Sequence, residues 1–207
     1  MRIRSAEFVR SAFASEGLVG DGLPQAAFAG RSNVAKSSLM NALVGREGLA
    51  RTSSTPGRTR SINYFLIDRR FHFVDLPGYG WARASRQERR GWGELVDAYL
   101  RQVAGRQDGG EALVLQLVDA KVGATALDRE AHRYLSGFGL AVVVVATKVD
   151  KVGRGARSKA SEAIRKSLEL TAGGGPVFVS AETGEGIKEL WTTIDRHLWK
   201  SQKSKHP

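Results

Sequence analysis

Residues 25–44 read Gln25-Ala-Ala-Phe-Ala-Gly30-Arg-Ser-Asn-Val-Ala35-Lys36-Ser37-Ser-Leu-Met-Asn-Ala-Leu43-Val44, and this stretch decides the fold. Its first six residues are mostly small or apolar and end in glycine, which predicts a short buried strand. Residues 36–44 predict the helix that follows. Between them, residues 30–37 match the phosphate-loop pattern G-x-x-x-x-G-K-[ST] in the strand–turn–helix setting the pattern requires. In such a loop successive backbone N–H groups wrap a β-phosphate, and the helix N-terminus adds partial positive charge. Gly30, Arg31, Ser32, Asn33, Val34, Ala35, Lys36 and Ser37 are therefore candidate nucleotide-binding residues. Lys36 would neutralise β- and γ-oxygens, and the Ser37 hydroxyl would bind Mg²⁺. One position departs from the pattern: Ala35 stands where the motif has its second glycine. Glycine serves there because it tolerates positive φ and lets the backbone approach the phosphate. A methyl group predicts strain of about 1–2 kcal/mol, or crowding of the phosphate, and so a loss of nucleotide affinity of about tenfold or more, since about 1.4 kcal/mol is a factor of ten.

Further along, Phe71-His-Phe-Val-Asp75-Leu76-Pro77-Gly78 is a strand ending in D-x-x-G. Asp75 would reach Mg²⁺ through water, and the Gly78 N–H would meet the γ-phosphate. Thr147-Lys148-Val149-Asp150 follows a β-branched run and matches [NT]-K-x-D. The Asp150 carboxylate can accept from guanine N1–H and the exocyclic amine, which adenine cannot reproduce, while the Lys148 stem lies along the base. A site built around such buried bonds rejects the wrong base by several kcal/mol. Val179-Ser180-Ala181 fits the element whose backbone N–H receives guanine O6. Between the phosphate loop and D-x-x-G, the polar segment 51–59 offers Thr52, Thr55 and Thr59 as threonines able to complete a Mg²⁺ shell when GTP is bound.

Around these motifs, strand-like runs alternate with helical patterns. Strands are expected at 25–30, 61–67, 71–75, 113–118, 141–146 and 176–180, and helices at 36–44, 87–103, 127–136, 158–170 and 186–198. The runs 61–67 and 71–75 flank a tight turn and predict a hairpin. The pattern implies an α/β fold, a mostly parallel six-stranded sheet with one antiparallel edge strand and helices on both faces. The expected organisation is an adapter at 1–22, a GTP-binding domain at 23–199 and a basic tail at 200–207. With 207 residues and no cysteine, the chain excludes a disulfide scaffold, a thiolate metal site and a cysteine nucleophile. The longest apolar run, 139–147, is about half what a bilayer span needs, and the N-terminus predicts no signal peptide. The four histidines lack metal-ligand spacing.

The formal charge is +11, and residues 51–106 alone hold 11 arginines against five carboxylates. Such a surplus favours a polyanionic partner. Interleaving with Trp81 and Trp92 favours RNA, since arginine contacts phosphate bidentately and an exposed indole stacks on a base. Arg58, Arg60, Arg83, Arg86, Arg89 and Arg90 are the expected RNA-facing residues.

In order and spacing the motifs look like a translation-factor-related small GTPase. The segments 30–43, Thr55-Pro-Gly-Arg-Thr-Arg60, Asp75-Leu-Pro-Gly-Tyr-Gly-Trp-Ala82 and Thr147-Lys-Val-Asp150 resemble the EngB (YihA/YsxC) family of bacterial ribosome-biogenesis GTPases, over nearly the whole chain. The resemblance implies a P-loop GTPase fold, GTP or GDP and Mg²⁺ as ligands, and slow hydrolysis of GTP by a positioned water. It implies a role in assembly of the large ribosomal subunit, and through ribosome supply in cell division and septation. It also implies the cytoplasm as location, ribosomal RNA and the subunit precursor as partners, and neither DNA nor membrane; a monomer suffices. It makes Thr59 the switch threonine and adds Gly57, Arg58, Thr59, Arg60 and Ser61 to the nucleotide contacts. Leu76, Pro77 and Val149 belong to them as motif residues. Asn33 matches an asparagine that binds potassium in related GTPases. Tyr79 stands where Ras-like proteins place a water-orienting glutamine, which argues against a glutamine mechanism. The expected catalytic set is Lys36, Asn33, Thr59 and Gly78. A second reading, drawn from Ala35, is a nucleotide-poor ribosome- or RNA-binding module. A third, a P-loop ATPase or small-molecule kinase, is disfavoured by Asp150.

Overall fold

The computed structural model describes residues 3–50, 61–79, 86–105, 111–171 and 174–199, with backbone alone for 86–92. Thr52, Thr55, Gly57, Arg58, Thr59, Arg60, Trp81, Arg83 and the segment 200–207 lie outside them.

The strands are β1 (Ala6–Ala12), β2 (Gln25–Gly30), β3 (Ile62–Ile67), β4 (Phe71–Asp75), β5 (Ala112–Asp119), β6 (Ala141–Thr147) and β7 (Val177–Phe178). The helices are α1 (Lys36–Val44), α2 (Arg86–Ala104), α3 (Ala126–Ser136), α4 (Arg157–Ser167) and α5 (Ile187–Leu198). They build one seven-stranded sheet in the order β1-β3-β4-β2-β5-β6-β7. The pairs around β2, β5, β6 and β7 are parallel, and β3 runs antiparallel to both its neighbours.

The sheet therefore has seven strands where the sequence predicts six, and the antiparallel strand lies inside the edge. The extra strand comes from the segment expected as an adapter. Its residues do not alternate cleanly between apolar and polar, because β1 is an edge strand with only Ala6 and Ala12 buried. A bulge between Phe8 and Arg10 also shifts its register against β3, and a bulge breaks the period of two on which strand reading depends. Asp68 fastens this edge: its Oδ1 accepts the N–H groups of Arg4 and Ser5 at 2.7 and 2.8 Å. Asp68 and Arg69, at φ 48° and 54°, form the hairpin turn, and the Arg70 N–H closes it on the Ile67 carbonyl at 2.9 Å. Two positive φ values in succession are what a hairpin turn matched to strand twist needs.

Side chains of the central strands alternate between two cores. Ala26, Phe28, Phe73 and Leu115 face Leu39, Met40 and Leu43 of α1 and Leu190, Trp191 and Ile194 of α5. Ala27, Ala29, Val74 and Val114 face Leu95, Tyr99, Leu100 and Val103 of α2 and Leu135 of α3. Trp191 stacks on Phe73 with centroids 5.7 Å apart, and its indole N–H donates to the Leu43 carbonyl at 3.1 Å, fixing α5 against α1. The carboxyl ends of β2, β4, β5 and β6 thus open along one rim, where ligands of open α/β sheets bind.

Candidate nucleotide site

The phosphate loop leaves β2 at Gly30, where a Cβ would lie 2.7 Å from Val34 Cγ1 and 3.1 Å from Leu117 Cβ; only glycine fits. Asn33 and Ala35 both adopt left-handed backbone, at φ 64° and 68°. Left-handed residues alternating with neighbours of negative φ turn successive N–H groups inward and make an anion-binding concavity. Ala35 takes up the positive φ expected of the motif's glycine. It also caps α1 without a side-chain hydrogen bond, so the first N–H groups of that helix, at Lys36 and Ser37, are available to an anion.

Alongside runs the segment after β4. Leu76 N–H donates to the Phe28 carbonyl and Tyr79 N–H to the Gly30 carbonyl, each at 3.1 Å. Gly78 is pressed against the loop: a Cβ there would be 3.3 Å from both Gly30 O and Ser32 N. Lys36 Nζ pairs with Asp75 Oδ1 and donates to the Leu76 carbonyl, which gathers the loop lysine, the D-x-x-G carboxylate and the α1 terminus. Ser61 is buried and donates to Asn63 Oδ1 at 3.1 Å, and the Asn63 amide faces Asp75 Oδ2 at 3.5 Å.

Donors for a Mg²⁺ ion among these residues are oxygen alone: the Ser37 hydroxyl and the Asp75 carboxylate, which is 7% exposed. Mg²⁺ is characteristically held by one or two carboxylates plus waters and substrate phosphates, so this set fits it. Among the described residues no cluster of three His, Cys, Asp or Glu side chains forms a protein-only metal cage.

The second half of the site is built from β6 and the loops after β6 and β7. Thr147 is buried, and its hydroxyl lies 2.9 Å from the Val34 carbonyl and 3.2 Å from that of Val118. Lys148, left-handed at φ 58°, places its ammonium 2.8 Å from the Asn33 carbonyl and 2.9 Å from Asp119 Oδ2. Val149 N–H donates to the Val179 carbonyl at 3.1 Å. Asp150 is thereby set beside the last loop, where a Ser180 hydrogen bond, ahead of the Lys151 ammonium, holds its carboxyl below the usual range. The Ser180 hydroxyl in turn accepts the N–H groups of Glu182 and Thr183 at 3.2 and 3.1 Å. A cavity of about 310 Å³ lies between Ala35, Ser38 and Leu39 on one side and Thr147, Lys148, Asp150, Lys151, Val179, Ala181 and Glu182 on the other. Its volume is at the lower end of small-ligand pockets and suits a planar base.

Sequence reasoning missed Asp119. Although burial pushes its carboxyl up, the bond from Lys148 and the N–H groups of Val122 and Lys121 outweigh that and leave it below the usual range. Its signal was positional: it ends β5 directly opposite Thr147, on the rim that carries Gly30 and Asp75. Gly57, Arg58, Thr59 and Arg60 lie outside the described residues. So does Arg83, and only the helical backbone of Arg86, Arg89 and Arg90 is described.

Comparison with known proteins places this geometry. The family model described as a 50S ribosome-binding GTPase matches residues 25–148. A relative from Pelotomaculum thermopropionicum, named Probable GTP-binding protein EngB, is 46% identical over 196 residues, covering 95% of this chain and 96% of the relative. The chain belongs to the EngB family of GTP-binding proteins. The EngB protein of Bacillus subtilis is 38% identical over 198 residues, covering 96% of this chain and 99% of its own. The crystal structure of a probable GTP-binding protein engB superposes with a TM-score of 0.63 at 22% identity, covering 85% of this chain and 99% of that one. Era in complex with MgGDPNP and a segment of 16S ribosomal RNA gives 0.61 at 25% identity, over 85% of this chain and 57% of that one. In this EngB-family chain the sheet and helices are thus those of a P-loop GTPase, and no described helix is long and apolar enough to cross a membrane.

Proposed function

We propose that this chain binds GTP in the site described, hydrolyses it slowly, and acts as a GTP-dependent switch in assembly of the large ribosomal subunit in the cytoplasm. The observation that best supports a guanine nucleotide is the Asp150 carboxylate on the wall of a base-sized cavity that Ala35 joins to the phosphate loop. The carboxylate accepts the two guanine donors, the N–H groups at Lys36 and Ser37 receive phosphate oxygens, and Lys36 neutralises charge on the β- and γ-phosphates. Ser37, Thr59 and Asp75 would hold Mg²⁺, which would supply charge neutralisation on the β- and γ-oxygens. Asn33 would hold K⁺, which would supply the positive charge an arginine finger provides elsewhere. The Gly78 N–H would meet the γ-phosphate, and departure of that phosphate on hydrolysis would release the D-x-x-G segment. The ribosomal partner is supported by the match to a 50S ribosome-binding GTPase family, by the charge of +11 and by the rRNA bound to the Era neighbour; ribosome supply would connect this role to cell division.

Because Ala35 adopts the left-handed backbone in the folded loop, the alternative reading, a nucleotide-poor RNA-binding module, rests on the bulk of its methyl group alone. The test is phosphate release from GTP, with and without large-subunit precursors, in potassium and in sodium. Release that is stimulated by the precursors and faster in potassium supports the proposal. Equal rates in the two salts, precursors included, reject the Asn33 role. No release under any of these conditions rejects the GTPase reading.

A further inference from the structure

Behind the phosphate loop, away from the base cavity, a carboxylate is shut inside the protein. Asp128, in the first turn of α3, is 0% exposed, as is Gln116 in the middle of β5. One carboxylate oxygen serves the helix: Oδ2 accepts the backbone N–H and hydroxyl of Thr125 at 2.8 and 2.7 Å. That completes a capping box and explains an aspartate at this position. It does not explain the rest. Arg31 Nε of the phosphate loop lies 3.2 Å from Oδ2, and the Tyr79 hydroxyl donates to Oδ1 at 3.0 Å. Gln116 locks the arrangement, donating to the Asp128 backbone carbonyl at 2.8 Å and lying 3.4 Å from the Tyr79 oxygen. Its own carbonyl meets His132 Nδ1 at 2.7 Å. Burial, then the Asp128 charge, push the Tyr79 hydroxyl well above its usual pKa, so it remains a donor.

The two residues this carboxylate gathers are the two that pair across the site: Arg31 and Tyr79 form a parallel bridge outside the named strands. Gly78 immediately precedes Tyr79 and faces the loop. The hydrogen bond from Tyr79 fixes that residue on the carboxylate, while Arg31, whose Nε lies 3.2 Å from Oδ2 without hydrogen-bond alignment, is held beside it by charge. We propose that Asp128 is a positioning residue which, through Tyr79 and Arg31, holds the Gly78 N–H where a γ-phosphate would meet it, so that the start of α3 is coupled to the difference between GTP and GDP. This rests on the GTPase reading above. It also gives Tyr79 a task in place of orienting water: its side chain is turned into the protein and pins the segment.

The experiment measures the affinities of the full chain for GDP and for a non-hydrolysable GTP analogue, in the unaltered protein and in Tyr79→Phe, Thr125→Ala and Asp128→Asn, with thermal unfolding of each. Tyr79→Phe removes one hydroxyl that touches no phosphate-binding group. It is expected to leave GDP affinity within about twofold and to weaken the analogue by about three- to tenfold, the range for one lost hydrogen bond. Asp128→Asn is expected to shift the analogue-to-GDP ratio in the same direction, and adding Tyr79→Phe to it to shift the ratio little further. Thr125→Ala removes the cap hydroxyl and its bond to Asp128 Oδ2 but leaves the Tyr79 bond to Oδ1 in place, and is expected to lower the melting temperature with a smaller shift of the ratio than Tyr79→Phe. A ratio that stays put in Tyr79→Phe while both nucleotides bind overturns the proposal and leaves the GTPase reading intact. A ratio moved as much by Thr125→Ala overturns it too, since capping then suffices. If the unaltered chain binds neither nucleotide, the GTPase reading falls first and this proposal with it.

Discussion

Ala35 combines a strained backbone, at φ 68°, with a place on the wall of the cavity. The two have different consequences. Strain belongs to the folded loop whether or not a ligand is bound, so it falls on stability; only the methyl group's bulk falls on affinity. Left-handed backbone costs alanine about 1–2 kcal/mol, and glycine loses about 0.4–1 kcal/mol through its freer unfolded chain. Ala35→Gly is therefore expected to change stability by between about 0 and about 1.6 kcal/mol in favour of glycine, read in the urea midpoint. At Asp150 the sign of the pH dependence follows from its lowered carboxyl pKa. The charged form persists above that depressed value and is lost only as pH falls through it. Preference for GTP over ATP should hence stay flat between about pH 8 and about pH 5. Competition binding across that range checks it, and Asp150→Asn should lose the preference at every pH.

Elements carry the next set of consequences. Gly186 opens α5 at φ 75°, and a Cβ there would sit 1.8 Å from the Phe178 carbonyl oxygen. Gly186→Ala must move backbone in the loop whose Ser180 orders Asp150, so guanine preference should fall together with stability. Trp191 is 3% exposed and packs on Phe71 and Phe73; Trp191→Ala should cost about 3–5 kcal/mol in urea unfolding. The elements nearest the site were the most legible in the sequence. β2 and α1 have the bounds expected, because strand, turn and helix there are each fixed by residue type. The hairpin at β3 and β4 was legible through its turn. β1 was not, since an edge strand with a bulge has no period to read. Nor is β7 as long as expected, spanning only Val177–Phe178: Pro176 lacks an N–H to extend the ladder at one end, and at the other the Val179 carbonyl turns to Val149 and the Ser180 N–H to the Glu185 carbonyl. Within the site, Lys36, Asp75 and Asp150 were legible from local motifs. Asp119 and Asp128 were not, because their roles depend on which strand ends and helix starts the topology brings together.

For the whole molecule, the sheet places the two halves of the site on one rim, and Lys148 joins them by touching both Asn33 and Asp119. Removing that ammonium, as in Lys148→Met, should loosen the loop and the base cavity together and weaken GDP and GTP alike. The charge of +11 acts at longer range. If the basic helix α2 faces ribosomal RNA, reversing Arg86, Arg89 and Arg90 should weaken association with large-subunit particles and flatten its dependence on salt, since each lost phosphate contact removes close to one unit from the slope. Guanine selectivity in this pocket is decided by a fluorescent GDP titration of this chain beside Ala35→Gly, with unlabelled GTP and ATP as competitors. Both chains are expected to bind, within about tenfold of one another, and GTP is expected to displace the probe while ATP does not. Binding by the glycine variant alone, or displacement by ATP as readily as by GTP, would contradict that expectation.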